Sequence, residues 1–153
     1  MFVSTPEESH GLLKEIVKTQ RFAVLSTLSN HQPYSSLVAF AASDDLQHLS
    51  FATDRRTRKY SNILENNKVA LLINNSNNNQ TDFTEALAVT ALGTASEIFD
   101  KSNNAVMQTY LQKHQVLTEF VNRQDTAIID VRVTDYILAR FDRAERIQVS
   151  DIS

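Results

Sequence analysis

Apolar and polar positions alternate along this chain in blocks that change period. From Pro6 to Gln20, Leu12, Leu13, Ile16 and Val17 recur at helical spacing. Thr5 or Ser4 can cap that helix, Pro6 suits its first turn, and Glu7 and Glu8 suit its positive end. Three strand-like runs follow: Phe22 to Leu28, Tyr34 to Ala42, and Leu49 to Thr53. The polar turns Asn30-His31-Gln32-Pro33 and Ser43-Asp44-Asp45 separate them, which predicts an antiparallel meander. A second helix is predicted over Arg56 to Glu65, with Tyr60, Ile63 and Leu64 on one side and Asn66-Asn67 at its end.

Lys68 to Ile73 reads as a buried strand. Asn74 to Asp82 is an asparagine-rich loop. Ala86 to Ile98 is a long strand in which Gly93 marks a bulge or close approach. Ser102 to Val121 is a third helix, with Val106, Tyr110 and Leu117 among its apolar positions. Ala127 to Phe141 is another long strand, and Ile147 with Val149 adds a short last one. The expectation is a mainly β (α+β) fold: a six- to seven-stranded antiparallel closed or split barrel with about three flanking helices. No linker or repeat interrupts the chain, so residues 1–153 read as a single domain.

Composition narrows the chemistry. With 153 residues, 42% hydrophobic and 22% charged, the chain can bury a real core. A net charge of -3 argues against a general nucleic-acid binder. The absence of cysteine excludes disulfides and thiolate metal sites. No run is apolar enough to span a bilayer, and the N-terminus lacks a signal-peptide pattern, so a cytoplasmic protein away from membranes is expected. Two glycines in the whole chain exclude glycine-rich phosphate loops. Any phosphate must be held by side chains and a helix end.

One feature fits that requirement. The second helix opens with four cations in five residues: Arg55, Arg56, Arg58 and Lys59. Cations at a helix N-terminus are disfavoured by roughly 0.3–1 kcal/mol each where exposed, and Asp54 offsets only part of that. The segment makes sense as a solvated basic turn paired with nearby acids, or as a place where an anion meets backbone amides, the Thr53 and Thr57 hydroxyls and forked guanidinium donors. On helical spacing Arg55, Arg58, Lys59 and Asn62 share a face and Arg56 points elsewhere. Arg58 and Lys59 are therefore the better phosphate ligands, and Arg56 a surface charge.

Leu49 to Ile73, with Thr57-Arg58-Lys59 at its centre, resembles the pyridoxamine 5'-phosphate oxidase-like FMN-binding split barrels. Thr57-Arg58-Lys59 matches that family's phosphate-binding triplet and Thr53 its strand-end threonine. Pro33-Tyr34-Ser35-Ser36-Leu37-Val38 is similar to the strand along the ribityl chain and flavin ring. Ala88 to Glu97 resembles the family's strand ending in Gly-x-Ala. The resemblance implies FMN held by Ser35, Ser36, Leu37, Val38, Thr53, Thr57, Arg58 and Lys59. It also implies a homodimer with flavin at the interface, and oxidoreductase chemistry on a small molecule whose identity stays open.

The later segments Tyr110-Leu-Gln-Lys-His114, Ile129 to Val133 and Arg140 to Ile147 are similar to the haem-utilisation branch of the same barrel, which makes haem the alternative cofactor. Arg140 and Asp142 stand where that branch has glycines, and Gln115 where it has proline. The Arg-x-His segment that grips the vitamin phosphate in true pyridoxamine phosphate oxidases is not found before Ser153, and Ala88 stands where those oxidases place a flavin-contacting glutamine. The phosphate contacts carry over; vitamin B6 oxidation does not. A flavin- or haem-binding protein without turnover, for storage, sensing or haem utilisation, is the second reading.

Other constellations point to structure. His10, His31, His48 and His114 have no metal-ligand spacing, and the first three read as surface or turn residues. His114 reads as a helix-surface residue, with axial haem ligation as the alternative. Asp44-Asp45 fits a hairpin turn better than an acid–base pair. Tyr110, Phe120, Tyr136 and Phe141 read as core aromatics. No Gly-x-Ser-x-Gly elbow is present. No catalytic residue and no metal ligand is assigned.

Overall fold

A computed structural model describes residues 5–102 and 104–152. Ser4, offered above as a cap, lies outside them. Helix α1 (Pro6–Thr19) is capped by Thr5, whose hydroxyl accepts the Glu8 N–H while Glu8 reaches back to the Thr5 amide. Its Leu13, Ile16 and Val17 enter the main core.

Six antiparallel strands close a barrel, and a seventh extends it. They are β1 (Phe22–Ser29), β2 (Gln32–Ala42), β3 (His48–Asp54), β4 (Lys68–Asn74), β5 (Ala88–Ile98), β6 (Thr126–Arg140) and β7 (Arg143–Gln148). The order is β3-β2-β1-β4-β5-β6-β7, and β3 pairs with β6 to complete the ring. The expected six- to seven-stranded barrel is therefore observed.

Period-two patterning builds the barrel wall. Val69, Leu71 and Ile73 of β4 point inward, while Leu72 is 39% exposed, so the strand read as buried is buried on its inner face. The first half of β6 is buried on both faces. A second small cluster of Ala41, Met107, Tyr110, Val121 and Ile128 covers the outside of the barrel there. Gly93 sits at a register shift between β5 and β6, and a Cβ on it would run into the Arg132 backbone carbonyl. The close approach expected at Gly93 is what excludes a larger residue.

Several boundaries moved for identifiable reasons. The β1–β2 turn is only Asn30-His31, both with positive φ (47° and 64°), so Gln32 and Pro33 belong to β2. The predicted third helix is broken into α4 (Ala105–Lys113), a 3₁₀ turn (Gln115–Leu117) and α5 (Thr118–Val121). His114 interrupts it by leaving helical geometry, and its Nε2 lies 2.7 Å from Phe40 O. Asn104 caps α4 through Val106 N and Met107 N. The asparagine loop ends in one helical turn, α3 (Asp82–Glu85), and the Asp82 carboxylate accepts the Asn77 and Asn79 N–H groups. The last strand is longer than the sequence pattern showed, and Val149 falls in a 3₁₀ turn after it. Among the described residues no helix is long and apolar enough to cross a membrane.

Candidate functional site

β2 and β3 run side by side over only three residue pairs, Phe40–Phe51, Ala41–Ser50 and Ala42–Leu49. Continued in the same register, Ala52 would face Ala39 and Thr53 would face Val38, but the strands part before that. The flank of β2 from Gln32 to Ala39 is thus without a neighbouring strand, which is where Pro33, with no N–H to give, is tolerated. This split separates the β3–α2 turn from Ser35 to Val38.

Helix α2 (Arg58–Glu65) starts at Thr57, which makes no side-chain cap, and no acidic residue occupies its first turn. Its leading N–H groups are therefore open to an anion. Thr53 is buried, and its hydroxyl lies 2.9 Å from that of Thr57. The Thr57 hydroxyl donates to Asp54 O at 2.7 Å. The far end of α2 is fixed by Asn62, which is buried and donates to the Thr27 hydroxyl at 3.0 Å. Asn62, one turn on from Arg58, is therefore committed to Thr27 and not available to an anion.

The four cations of the turn are sorted by their partners. Arg55 donates to both oxygens of Glu97 and to Gln124 O. Arg56 is held bidentately by Asp54 at 2.9 and 2.6 Å. Among the described residues Arg58 and Lys59 have no side-chain hydrogen bond or ion pair. The basic turn is thus half neutralised and half open. Arg55, grouped with Arg58 and Lys59 by helical spacing, precedes the helix and belongs with the neutralised half.

Glu97 was not singled out by sequence. It is 42 residues from Arg55, and only the row Phe51–Ile129–Glu97 across β3, β6 and β5 brings it there. Burial raises its pKa, but hydrogen bonds from Arg55 and Tyr60 and the charges of Arg55 and Lys101 outweigh that, so the net shift is downward. Tyr60 donates to the same carboxylate at 2.6 Å. Asp54 is held well below the usual carboxylate range by its hydrogen bonds from Arg56.

On β2, Ser36 and Val38 point toward the barrel, Ser35 and Leu37 away from it. Ser36 Oγ is out of solvent without a hydrogen-bond partner, while Leu37 is 66% exposed. The outward row Leu37–Val24–Leu72 across β2, β1 and β4 makes an apolar outer face, with Phe22 exposed beside it. A separate groove of about 340 Å³ lies at the Arg140 end of β6. Leu72, Phe83, Leu87, Ala139 and Phe141 contribute to its lining.

The other assigned residues fall as follows. His114 is buried rather than on the helix surface, and its Nε2 is engaged with the Phe40 carbonyl, so it is not presented as an axial haem ligand. Tyr110 and Tyr136 are core residues and Phe120 is partly so. Phe141 is 75% exposed and meets Phe83 edge-on, because it lies in the tight β6–β7 turn. Leu64 is exposed as well, on the outer side of α2. Asp45 closes its hairpin through Ser43 Oγ and Gln47 N, as a turn aspartate does. Among the described residues no group of three or more His, Cys, Asp or Glu could hold a metal ion.

The family model described as pyridoxamine 5'-phosphate oxidase matches residues 10–138. The chain belongs to the pyridoxamine 5'-phosphate oxidase family. Solved structures share this family fold at low identity. A heme binding protein from Mycobacterium smegmatis is 14% identical with a TM-score of 0.82, covering 97% of this chain and 60% of that one. ChuZ from Campylobacter jejuni is 11% identical with a TM-score of 0.81, covering 99% and 63%. A protein related to general stress protein 26 from Clostridium acetobutylicum, of the pyridoxinephosphate oxidase family, is 15% identical with a TM-score of 0.76, covering 97% and 100%. This chain spans less than two thirds of the first two. No curated protein matches the sequence. These family relatives share the split barrel, and at such identities the likeness concerns the fold alone.

Proposed function

We propose that this member of the pyridoxamine 5'-phosphate oxidase family binds FMN as a homodimer and serves as a flavin-dependent oxidoreductase on a small molecule. The observation that carries the reading is the sorting of the basic turn. Two of its cations are neutralised within the protein, and Arg58 and Lys59 stand open beside an uncapped helix start. A phosphate there gains charge-assisted hydrogen bonds from both and from the first helical amides, and the Thr53 and Thr57 hydroxyls join them once Thr57 turns its proton away from Asp54 O. The donor set suits a phosphate monoester better than a neutral ligand.

Ser35, Ser36, Leu37 and Val38 would hold the rest of the flavin on the opposite side of the split. The Ser36 hydroxyl lacks a partner and can meet a polyol, and Val38 offers apolar contact. When bound, the flavin supplies hydride or electron transfer, and the protein binds and orients it. Arg55 and Glu97 keep the turn rigid while remaining out of the phosphate's reach as ligands. No catalytic acid or base is assigned, and the substrate is left open.

The homodimer rests on the outer face. A free β2 edge of this length and an adjoining apolar row are the features that soluble proteins cover. A second copy covers both and would complete the flavin site. The absorption spectrum of the purified protein, followed by FMN titration and sedimentation, tests the reading. Flavin bands, micromolar or tighter uptake and a dimer are expected. A colourless monomer that takes up no FMN would falsify it. A flavin carrier without turnover uses the same residues, and assays with reduced nicotinamide, coenzyme F420 and pyridoxamine phosphate separate it from an enzyme.

A further inference from the structure

β2 and β3 stop pairing at Ala39 and Ala52, and a side chain from outside the barrel stands at that point. Tyr110 of α4 is 1% exposed, and its hydroxyl donates to Ala39 O at 3.1 Å. The Ala52 backbone N–H lies near the same phenolic oxygen and eases the ionisation that burial opposes. Ala39 and Ala52 are the next pair in the β2–β3 register. The hydroxyl thus takes the Ala39 carbonyl that the Ala52 N–H would reach in a direct ladder bond, and it stands between the two strands.

A relay of this kind spans about 5–6 Å from nitrogen to oxygen, against about 3 Å for a direct bond. Such a relay would hold the strands roughly 2–3 Å further apart at that pair.

The wedge is firmly seated. One turn along α4, His114 Nε2 bonds to Phe40 O at 2.7 Å, and the Tyr110 and His114 rings lie 5.0 Å apart. Lys113 donates to Val17 O and Gln20 O at the end of α1 and lies over the Phe40 ring. Three successive anchors, to β2 and to α1, leave the Tyr110 ring little freedom to withdraw.

We infer that Tyr110 is a positioning residue that keeps the split open between the β3–α2 turn and Ser35 to Val38. Without its hydroxyl, Ala52 N–H and Ala39 C=O are free to pair directly, and Val38 is drawn toward Thr53. The inference rests on the flavin reading for its consequence, but not for the wedge itself. It also assigns a reason for a buried phenol in the Tyr110-Leu-Gln-Lys-His114 segment that involves no haem.

The test is Tyr110→Phe, which removes one oxygen and keeps the packing. In the ligand-free variant, a crystal structure is expected to show β2 and β3 paired through Ala39–Ala52. FMN affinity, measured by flavin fluorescence titration, is expected to fall about tenfold. Strands that stay apart in the variant overturn the wedge. Strands that pair while FMN binds as in the parent overturn its role in the site. A parent protein that takes up no FMN defeats the flavin reading alone, and the strand spacing still decides the wedge. If the variant does not fold, the unaltered protein serves. Its Tyr110 hydroxyl proton is expected to exchange slowly and to show a magnetic-resonance contact to the Ala52 N–H. A rapidly exchanging hydroxyl overturns the relay.

Discussion

The two ends of β6 meet solvent in opposite ways. At its start, Thr126 pairs with Asp54, and in the surrounding turn Arg55 and Arg56 are paired with Glu97 and Asp54. At its end, Arg140 and Phe141 border an apolar groove where Phe83 and Phe141 are exposed. The first end is organised before any ligand arrives. At the second, the Phe83 and Phe141 rings meet edge-on with a centroid distance of 5.0 Å. The groove at the Arg140 end is therefore not where the polar chemistry is concentrated. A volume alone gives no donors; the turn gives two open cations, two hydroxyls and a helix start.

That contrast can be broken experimentally, most sharply at the turn. Arg58→Ala with Lys59→Ala is expected to weaken FMN binding about 100-fold or more, since each lost charge-assisted contact is worth roughly 1.5–3 kcal/mol. Arg56→Ala is expected to change it less than about threefold, because Asp54 already holds that guanidinium. Isothermal titration distinguishes the two; equal losses would show that the cations are not sorted.

The next largest effect concerns stability. Glu97→Ala leaves Arg55 and Tyr60 without their shared acceptor in a half-buried setting. A loss of about 2 kcal/mol is expected in denaturant unfolding, below the full cost of breaking a deeply buried pair because Arg55 remains partly solvated. No measurable loss would mean that the turn is not held by this carboxylate.

Acid titration sharpens the same point. Glu97 and Asp54 both have folded pKa values below their ordinary ones, so their stabilisation is present above about pH 4–5 and is lost as pH falls through the folded values. Unfolding midpoints measured from pH 6 to pH 2 should fall, and should fall less steeply in Glu97→Gln. Parallel slopes would count against the assignment.

The smallest effect is expected at the other end. Phe83→Ser or Phe141→Ser should change the stability of the isolated chain by under about 0.5 kcal/mol, since both rings are exposed. A much larger loss, rising with protein concentration, would show that the groove is covered in the assembled protein.

Much of the barrel was legible because strand alternation and tight polar turns are local signals. The basic turn was legible for the same reason: cations crowded at a helix start are anomalous within seven residues. Three things were not. Glu97 reaches Arg55 only through strand order, and no spacing rule joins residues 42 apart. Asn62 lies one turn from Arg58 as spacing predicts, but its side chain is taken up by Thr27, because α2 packs on β1. His114 looked like a surface residue of one long helix, but the Phe40 carbonyl draws it inward and the helix breaks there.

By itself the sequence determined the barrel class, the Gly93 close approach and the candidate phosphate turn at Thr57-Arg58-Lys59, all written in nearest neighbours and short periods. Tertiary structure decided which cations of that turn stay open, where β2 leaves β3, and which apolar residues remain outside. Those outcomes depend on residues brought together across strands, where charge pairing and burial act on distances that chain spacing does not encode.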